Sequence, residues 1–158
     1  MKAATDVEVV SYSERHGDAF GRLNREWLDK YFEVEPIDDE VLSNPQTSIL
    51  DHGGVILYAL VAGEAVGTVA LKHHGNGSYE LTKMAVTDGH QGAGLGRKLL
   101  CAAIDQFTQL RGRFLYLESH SSLTAALMLY ESAGFHHEAP PSPSEYQRAD
   151  TYMVYRRT

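Results

Sequence analysis

The order of apolar and polar side chains divides the chain into strands and amphipathic helices. "VEVVSY" (Val7 to Tyr12) reads as a first strand. In "DAFGRLNREWLDKYF", Phe20, Leu23, Trp27 and Tyr31 recur at helical spacing, while Arg22, Arg25, Glu26, Asp29 and Lys30 fall off that stripe. An acidic stretch follows, with a short helix predicted from near Asp38 and stopped by Pro45. Two apolar runs between Val55 and His74, joined at Ala62-Gly63-Glu64, have the pattern of an antiparallel hairpin, and Gly75-Asn76-Gly77 supplies the next tight turn. Ser78 to Val86 is a further strand. Leu95, Leu99, Ala103, Phe107 and Leu110 line one side of a helix from about Gly94 to Leu110. Phe114 to Ser119 is strand, "LTAALMLYESA" is a helix ended by Gly134, and Pro/Ser-rich Ala139 to Tyr146 is a loop. Asp150 to Arg156 alternates as an edge or late strand would.

This order predicts an α+β (mixed α/β) fold: a central, mostly antiparallel sheet with one parallel strand pair, flanked by about four helices. The parallel pair joins Ser78–Val86 to Phe114–Ser119 through the glycine-started helix. "HQGAGLGRKLL" (His90 to Leu100) then lies at the carboxyl end of a strand and the amino end of a helix. Backbone N–H groups are unpaired there and the helix dipole is positive, so an anion belongs at that turn. The turn is neither of the two common phosphate motifs. A G-x-G-x-x-G fingerprint beginning at Gly92 would need glycine where Arg97 stands, and a P-loop fails at Arg97 and Leu99. What remains is a bare turn facing one compact anion, with Arg97 and Lys98 near it.

Composition narrows the classes. A length of 158 residues suits a single domain, 1–158. The longest apolar run, Val55 to Ala62, is too short to cross a membrane, and no secretory leader pattern opens the chain. A single cysteine, Cys101, cannot form an internal disulfide, which points to the cytoplasm; its place in an apolar helix pattern predicts a small core residue. The net charge of −7 argues against a nucleic-acid partner and suits a cationic small molecule. Eight histidines occur, but His73-His74 and His136-His137 are adjacent pairs that point to opposite sheet faces, and neither H-E-x-x-H nor a cysteine cluster accompanies them, so no metal is expected.

Two motifs bear a resemblance. Gln91-Gly92-Ala93-Gly94-Leu95-Gly96 fits the Q/R-x-x-G-x-G/A signature of the GNAT superfamily of acetyl-CoA-dependent N-acetyltransferases, downstream of a strand ending in Met84-Ala85-Val86. "ALMLYESAGF" (Ala126 to Phe135) resembles the family's second signature, A-x-x-L-Y-x-x-x-G-F. The resemblance covers roughly Val55 to Phe135. It implies acetyl-CoA as co-substrate, with its pyrophosphate at Gln91 to Gly96 beside Arg97 and Lys98, and its pantetheine arm along the backbone of Met84, Ala85 and Val86. It implies acetyl transfer to a primary amine of a small molecule or peptide by direct attack, and it allows a homodimer. A silent acyl-CoA sensor of the same fold is the alternative, and a generic nucleotide-binding domain a remoter one.

Two residues take the proton work in this reading. Glu80 has the strand parity of Met84 and Val86, which predicts a side chain on their face, and its position resembles that of the general-base glutamate in the histone-acetylating branch. Glu118 is its reserve. Tyr130 matches the family tyrosine that points at the sulfur and can protonate the leaving thiolate. Where the family often has asparagine before that helix, this chain has Leu123 after Ser121 and Ser122, and a serine cap is expected instead. The acidic run Glu33, Glu35, Asp38, Asp39 and Glu40 lies where relatives build the acceptor wall, and any of it facing the cleft would favour a cationic acceptor.

Overall fold

The computed structural model describes residues 6–92 and 94–156. β1 (Val7–Ser11) is followed by α1 (Ala19–Tyr31), α2 (Pro36–Ser43) and the single-turn α3 (Pro45–Ser48). β2 (Val55–Val61), β3 (Glu64–His73) and β4 (Ser78–Val86) come next, then α4 (Leu95–Gln109), β5 (Phe114–Ser119), α5 (Thr124–Ala133), β6 (Phe135–His137) and β7 (Thr151–Tyr155). The strands form one seven-stranded sheet in the order β1-β2-β3-β4-β5-β7-β6, in which β4 and β5 pair in parallel and the other neighbours antiparallel. The mixed fold expected from the sequence is therefore the one observed. Of the two readings of the last segment, edge or late strand, the second holds: β7 is the last strand in sequence and lies between β5 and β6.

Each face of the sheet buries its own cluster. On one, Leu57, Leu71, Leu81 and Leu117 meet Leu99, Leu100 and Phe107 of α4 and Tyr130 of α5. On the other, Ile56, Tyr58 and Ala85 meet Phe20, Leu23 and Leu28 of α1. The stripe of α1 is rotated from the expected one: Leu28 is core, while Trp27 is half-buried and Tyr31 is 42% exposed. α2 starts two residues before Asp38, since Pro36 suits the first helical turn, and Glu35 and Asp38 form a reciprocal capping box. Pro45 opens α3 by the same rule. Cys101 is exposed, contrary to expectation, because α4 turns Leu99, Leu100 and Ala103 inward and leaves position 101 toward solvent.

One irregularity decides what β4 presents. Its register with β3 runs Thr68↔Ala85 and then Ala70↔Thr82, so Val69 faces both Lys83 and Met84. Lys83 has φ +56°, unusual for a side chain of its size. This bulge shifts the strand's alternation by one residue. Leu81 and Met84, three apart, both pack on the α4 side, whereas Ala85 joins the α1 side. Glu80 therefore projects to the face opposite Met84 and Val86, and the same-face expectation, which assumed unbroken period-2 alternation, is corrected.

Candidate active site

β4 and β5 pair only at Ser78↔Phe114, Tyr79↔Leu115 and Glu80↔Tyr116. Past Glu80 the strands diverge and leave the β5-facing edge of Lys83 to Val86 without a strand partner. A cleft of about 550 Å³ fills the opening. Met84, Ala85, Val86, Gln91, Gly92, Gly94, Leu95 and Gly96 all line it, as do Glu80, Glu118 and Tyr130. Of the remaining expected residues, Ala93 lies outside the described residues. Arg97 and Lys98 are exposed on α4 away from the cleft lining, with Arg97 Nη2 donating to Ser132 Oγ at 3.2 Å.

The turn into α4 has the backbone geometry of an anion cradle. Gly92 and Gly94 have φ of +83° and +79°, a left-handed backbone that glycine adopts without strain, and a Cβ at either would meet nothing within 4 Å. The glycines are thus required by conformation, and their open side faces the cleft. Gly94 is the N-cap of α4 and makes no side-chain cap, so the first N–H groups of this fifteen-residue helix are left to a ligand. Gln91 Nε2 donates to the carbonyl of Val86 at 3.0 Å and ties the turn to the strand. A charged pyrophosphate on the turn and an amide-bearing arm along the free edge of β4 match these donors, so the residues present fit coenzyme A.

The two faces of the sheet contribute different chemistry to this opening. Tyr130 enters from the α5 side, 9% exposed, its ring edge-on to Phe135 at 6.1 Å. Burial pushes its hydroxyl up to about 12, and among the described residues that hydroxyl has no hydrogen-bond partner. Glu80, Tyr116 and Glu118 lie on the α1 side. Glu80 is 7% exposed and meets His74 Nε2 at 2.9 Å. Burial raises the Glu118 carboxyl and the Glu80 charge adds to the rise, while a hydrogen bond to Ser144 and the nearby His74 oppose it. Burial likewise raises Tyr116, with the charges of Glu80 and Glu118 adding to it.

Beside them is a buried ion cluster that the sequence reading missed. Asp38, fully buried, accepts from Lys83 Nζ at 2.6 Å and from Arg148 Nη1 and Nη2 at 2.6 and 2.7 Å. Arg148 also reaches Glu35 at 3.2 Å, and Lys83 Nζ donates to Tyr146 Oη at 3.0 Å. Burial pushes the Asp38 carboxyl up, but the hydrogen bonds from Arg148 and Lys83 outweigh it and hold the group at about 2. Burial pulls the Lys83 ammonium down against the opposing pull of Asp38. Lys83 reads in the sequence as an ordinary polar strand position, and its partners lie 45 and 63 residues away.

Three further expectations resolve here: the helix cap, the acidic run and the paired histidines. Neither serine caps α5: Ser121 bonds Asp150 through N and Oγ at 2.8 and 2.7 Å, Ser122 bonds His120, and the N-cap residue is Leu123. Of the acidic run, Asp38 and Glu35 turn inward but are neutralised by Arg148 and Lys83, while Asp39 pairs with Arg25 at 2.9 Å. His73 and His74 do diverge, to His52 O and Glu80 respectively. No group of three or more His, Cys, Asp or Glu that could hold a metal occurs among the described residues. No described helix is long and apolar enough to cross a membrane.

Comparison with known proteins places this geometry. A GNAT-family acetyltransferase from Staphylococcus aureus Mu50 superposes with a TM-score of 0.84 at 20% identity, covering 95% of this chain and 98% of that one. PaiA N-acetyltransferase from Thermoplasma acidophilum, solved in complex with coenzyme A, gives a TM-score of 0.76 at 16% identity over 96% and 99% of the two chains. In sequence, N-alpha-acetyltransferase RimI of Mycobacterium tuberculosis is 42% identical over 57 residues, 36% of this chain and only 34% of that protein's length. The model of the acetyltransferase (GNAT) family matches residues 20–135, which include the cradle, the diverging strands and Tyr130. The chain therefore belongs to the acetyltransferase (GNAT) family, enzymes that take their acyl group from acetyl-CoA.

Proposed function

We propose that the protein is an N-acetyltransferase that acetylates a primary amine of a small molecule or peptide by direct attack. The observation behind this reading is the opening between β4 and β5, which Tyr130 enters from one face of the sheet and Glu80 and Glu118 from the other. Bound acetyl-CoA supplies an activated thioester. The cradle and the free edge of β4 hold and orient that co-substrate, and positioning supplies much of the rate. An amine with a pKa near that of lysine, about 10.4, arrives protonated at neutral pH. Glu80 takes that proton at a carboxylate oxygen, directly or through a water, with Glu118 beside it as the second carboxylate. Tyr130 Oη holds a proton for the departing sulfur. Thiol release from acetyl-CoA against a panel of amines, amino acids and peptides tests the reading. Amine-dependent release with an N-acetylated product is expected; cofactor binding without release toward any amine would instead mark a silent acyl-CoA sensor.

A further inference from the structure

We infer that the acceptor is a primary amine with no carboxylate near its reacting nitrogen, a decarboxylated amine or a peptide N-terminus and not a free amino acid. This rests on the N-acetyltransferase reading above. The ground is the charge balance of the cleft. Among the described residues, two cationic side chains line it, Lys83 and Arg148, and both are already matched. Asp38 takes Lys83 Nζ at 2.6 Å and both terminal nitrogens of Arg148 at 2.6 and 2.7 Å, and Glu35 takes Arg148 again at 3.2 Å. The ring of Tyr146 covers what is left, with Lys83 Nζ 4.5 Å and the Arg148 guanidinium 4.8 Å from its centroid.

The anions are less fully matched. Glu118 has no ion pair among the described residues, and Glu80 has only a histidine, His74. An acceptor ammonium thus meets a carboxylate floor. An α-carboxylate beside it would be desolvated against like charge with no free cation to receive it. Trp27 and Phe32 at the α1 end, which also line the cleft, offer aromatic surface, 5.7 Å between ring centroids, to an uncharged substituent. Removing a neutralising carboxylate should weaken the preference, because it would free part of Arg148.

The test is acetyl-CoA thiol release with three matched pairs: tyramine and tyrosine, agmatine and arginine, alaninamide and alanine, with kcat/KM referred to free-amine concentration. For wild type, the carboxylate-free member of each active pair is expected to be faster by on the order of 100-fold. In Asp38→Asn, and in the milder Glu35→Gln if the first does not fold by circular dichroism, that ratio is expected to shrink by roughly 10-fold. Equal rates within the pairs for wild type, or faster acetylation of the amino acids, would overturn the inference while leaving the N-acetyltransferase reading in place. A ratio unchanged in a folded Glu35→Gln or Asp38→Asn protein would overturn the charge-balance cause. Absence of release with all six compounds would overturn both.

Discussion

Glu80 and His74 meet at 2.9 Å across the end of the β3–β4 hairpin, the carboxylate nearly buried in the cleft lining and the imidazole about one-third exposed outside it. The pair gives Glu80 a fixed orientation and a neighbour outside the space that acceptor and co-substrate occupy. Glu80→Gln keeps the shape and removes the charge of the proposed base, so kcat/KM should fall at neutral pH and recover partly at alkaline pH, where free amine is plentiful. His74→Ala should lower kcat by a smaller factor, roughly 3- to 30-fold, with acetyl-CoA affinity unchanged. An unaltered pH–rate profile in Glu80→Gln would transfer the role to Glu118.

Tyr130→Phe separates packing from chemistry at a single oxygen atom. Burial keeps this hydroxyl protonated across any working pH, since it is pushed up to about 12. It can therefore donate to the leaving sulfur but not act as a base. Loss of the hydroxyl should reduce the single-turnover rate on the order of 10- to 1,000-fold with cofactor affinity nearly intact. Wild-type single-turnover rates in the folded variant would leave solvent as the donor.

Gly94→Val places a β-branched residue at φ +79° at the N-cap of α4. The backbone must shift from its left-handed conformation, at a cost of about 1–2 kcal/mol, and the cradle shifts with it. Acetyl-CoA binding measured by calorimetry should be lost or cut by at least an order of magnitude, while circular dichroism still reports a folded sheet.

Asp38 predicts the acid limb of stability. Its carboxyl is held at about 2, below its ordinary 3.8. The folded state therefore binds that proton less readily than the unfolded chain, and the resulting stabilisation is complete above pH 4 and lost as pH falls from about 4 to 2. The shift corresponds to about 2 kcal/mol. Melting temperatures of wild type should drop steeply across that window, and Asp38→Asn, less stable at neutral pH because Lys83 and Arg148 lose their shared anion, should show a flatter acid slope.

The parts of this site that were legible in the sequence are those written locally. Gly92 and Gly94 announce a left-handed turn wherever they occur before an apolar helix, and Ser78–Val86, Phe114–Ser119 and the helix between them follow from periodicity alone. The parity of Glu80 was misread because a bulge leaves no period of its own: Lys83 looks like any polar strand position until the register with β3 is known. Asp38, Tyr146 and Arg148 were hidden for another reason. Each lies in a loop-like or polar stretch whose default is solvent, and only the folded chain brings them onto Lys83. The serine cap failed because Asp150, 29 residues on, offers Ser121 a carboxylate that outcompetes a helix N–H.

The bulge at Lys83 makes β4 two strands in one. Even-numbered side chains before it face the α1 side and those after it face the α4 side, so that an even-numbered position means opposite things at 80 and at 84. Selection can then retune positions 80 and 82 without disturbing the opposite face at 84 and 86. A one-residue deletion at 83 would restore simple alternation and leave Met84 on the α4 side and Ala85 on the α1 side, so the extra residue gives the strand a cation for Asp38 without exchanging its two chemical surfaces.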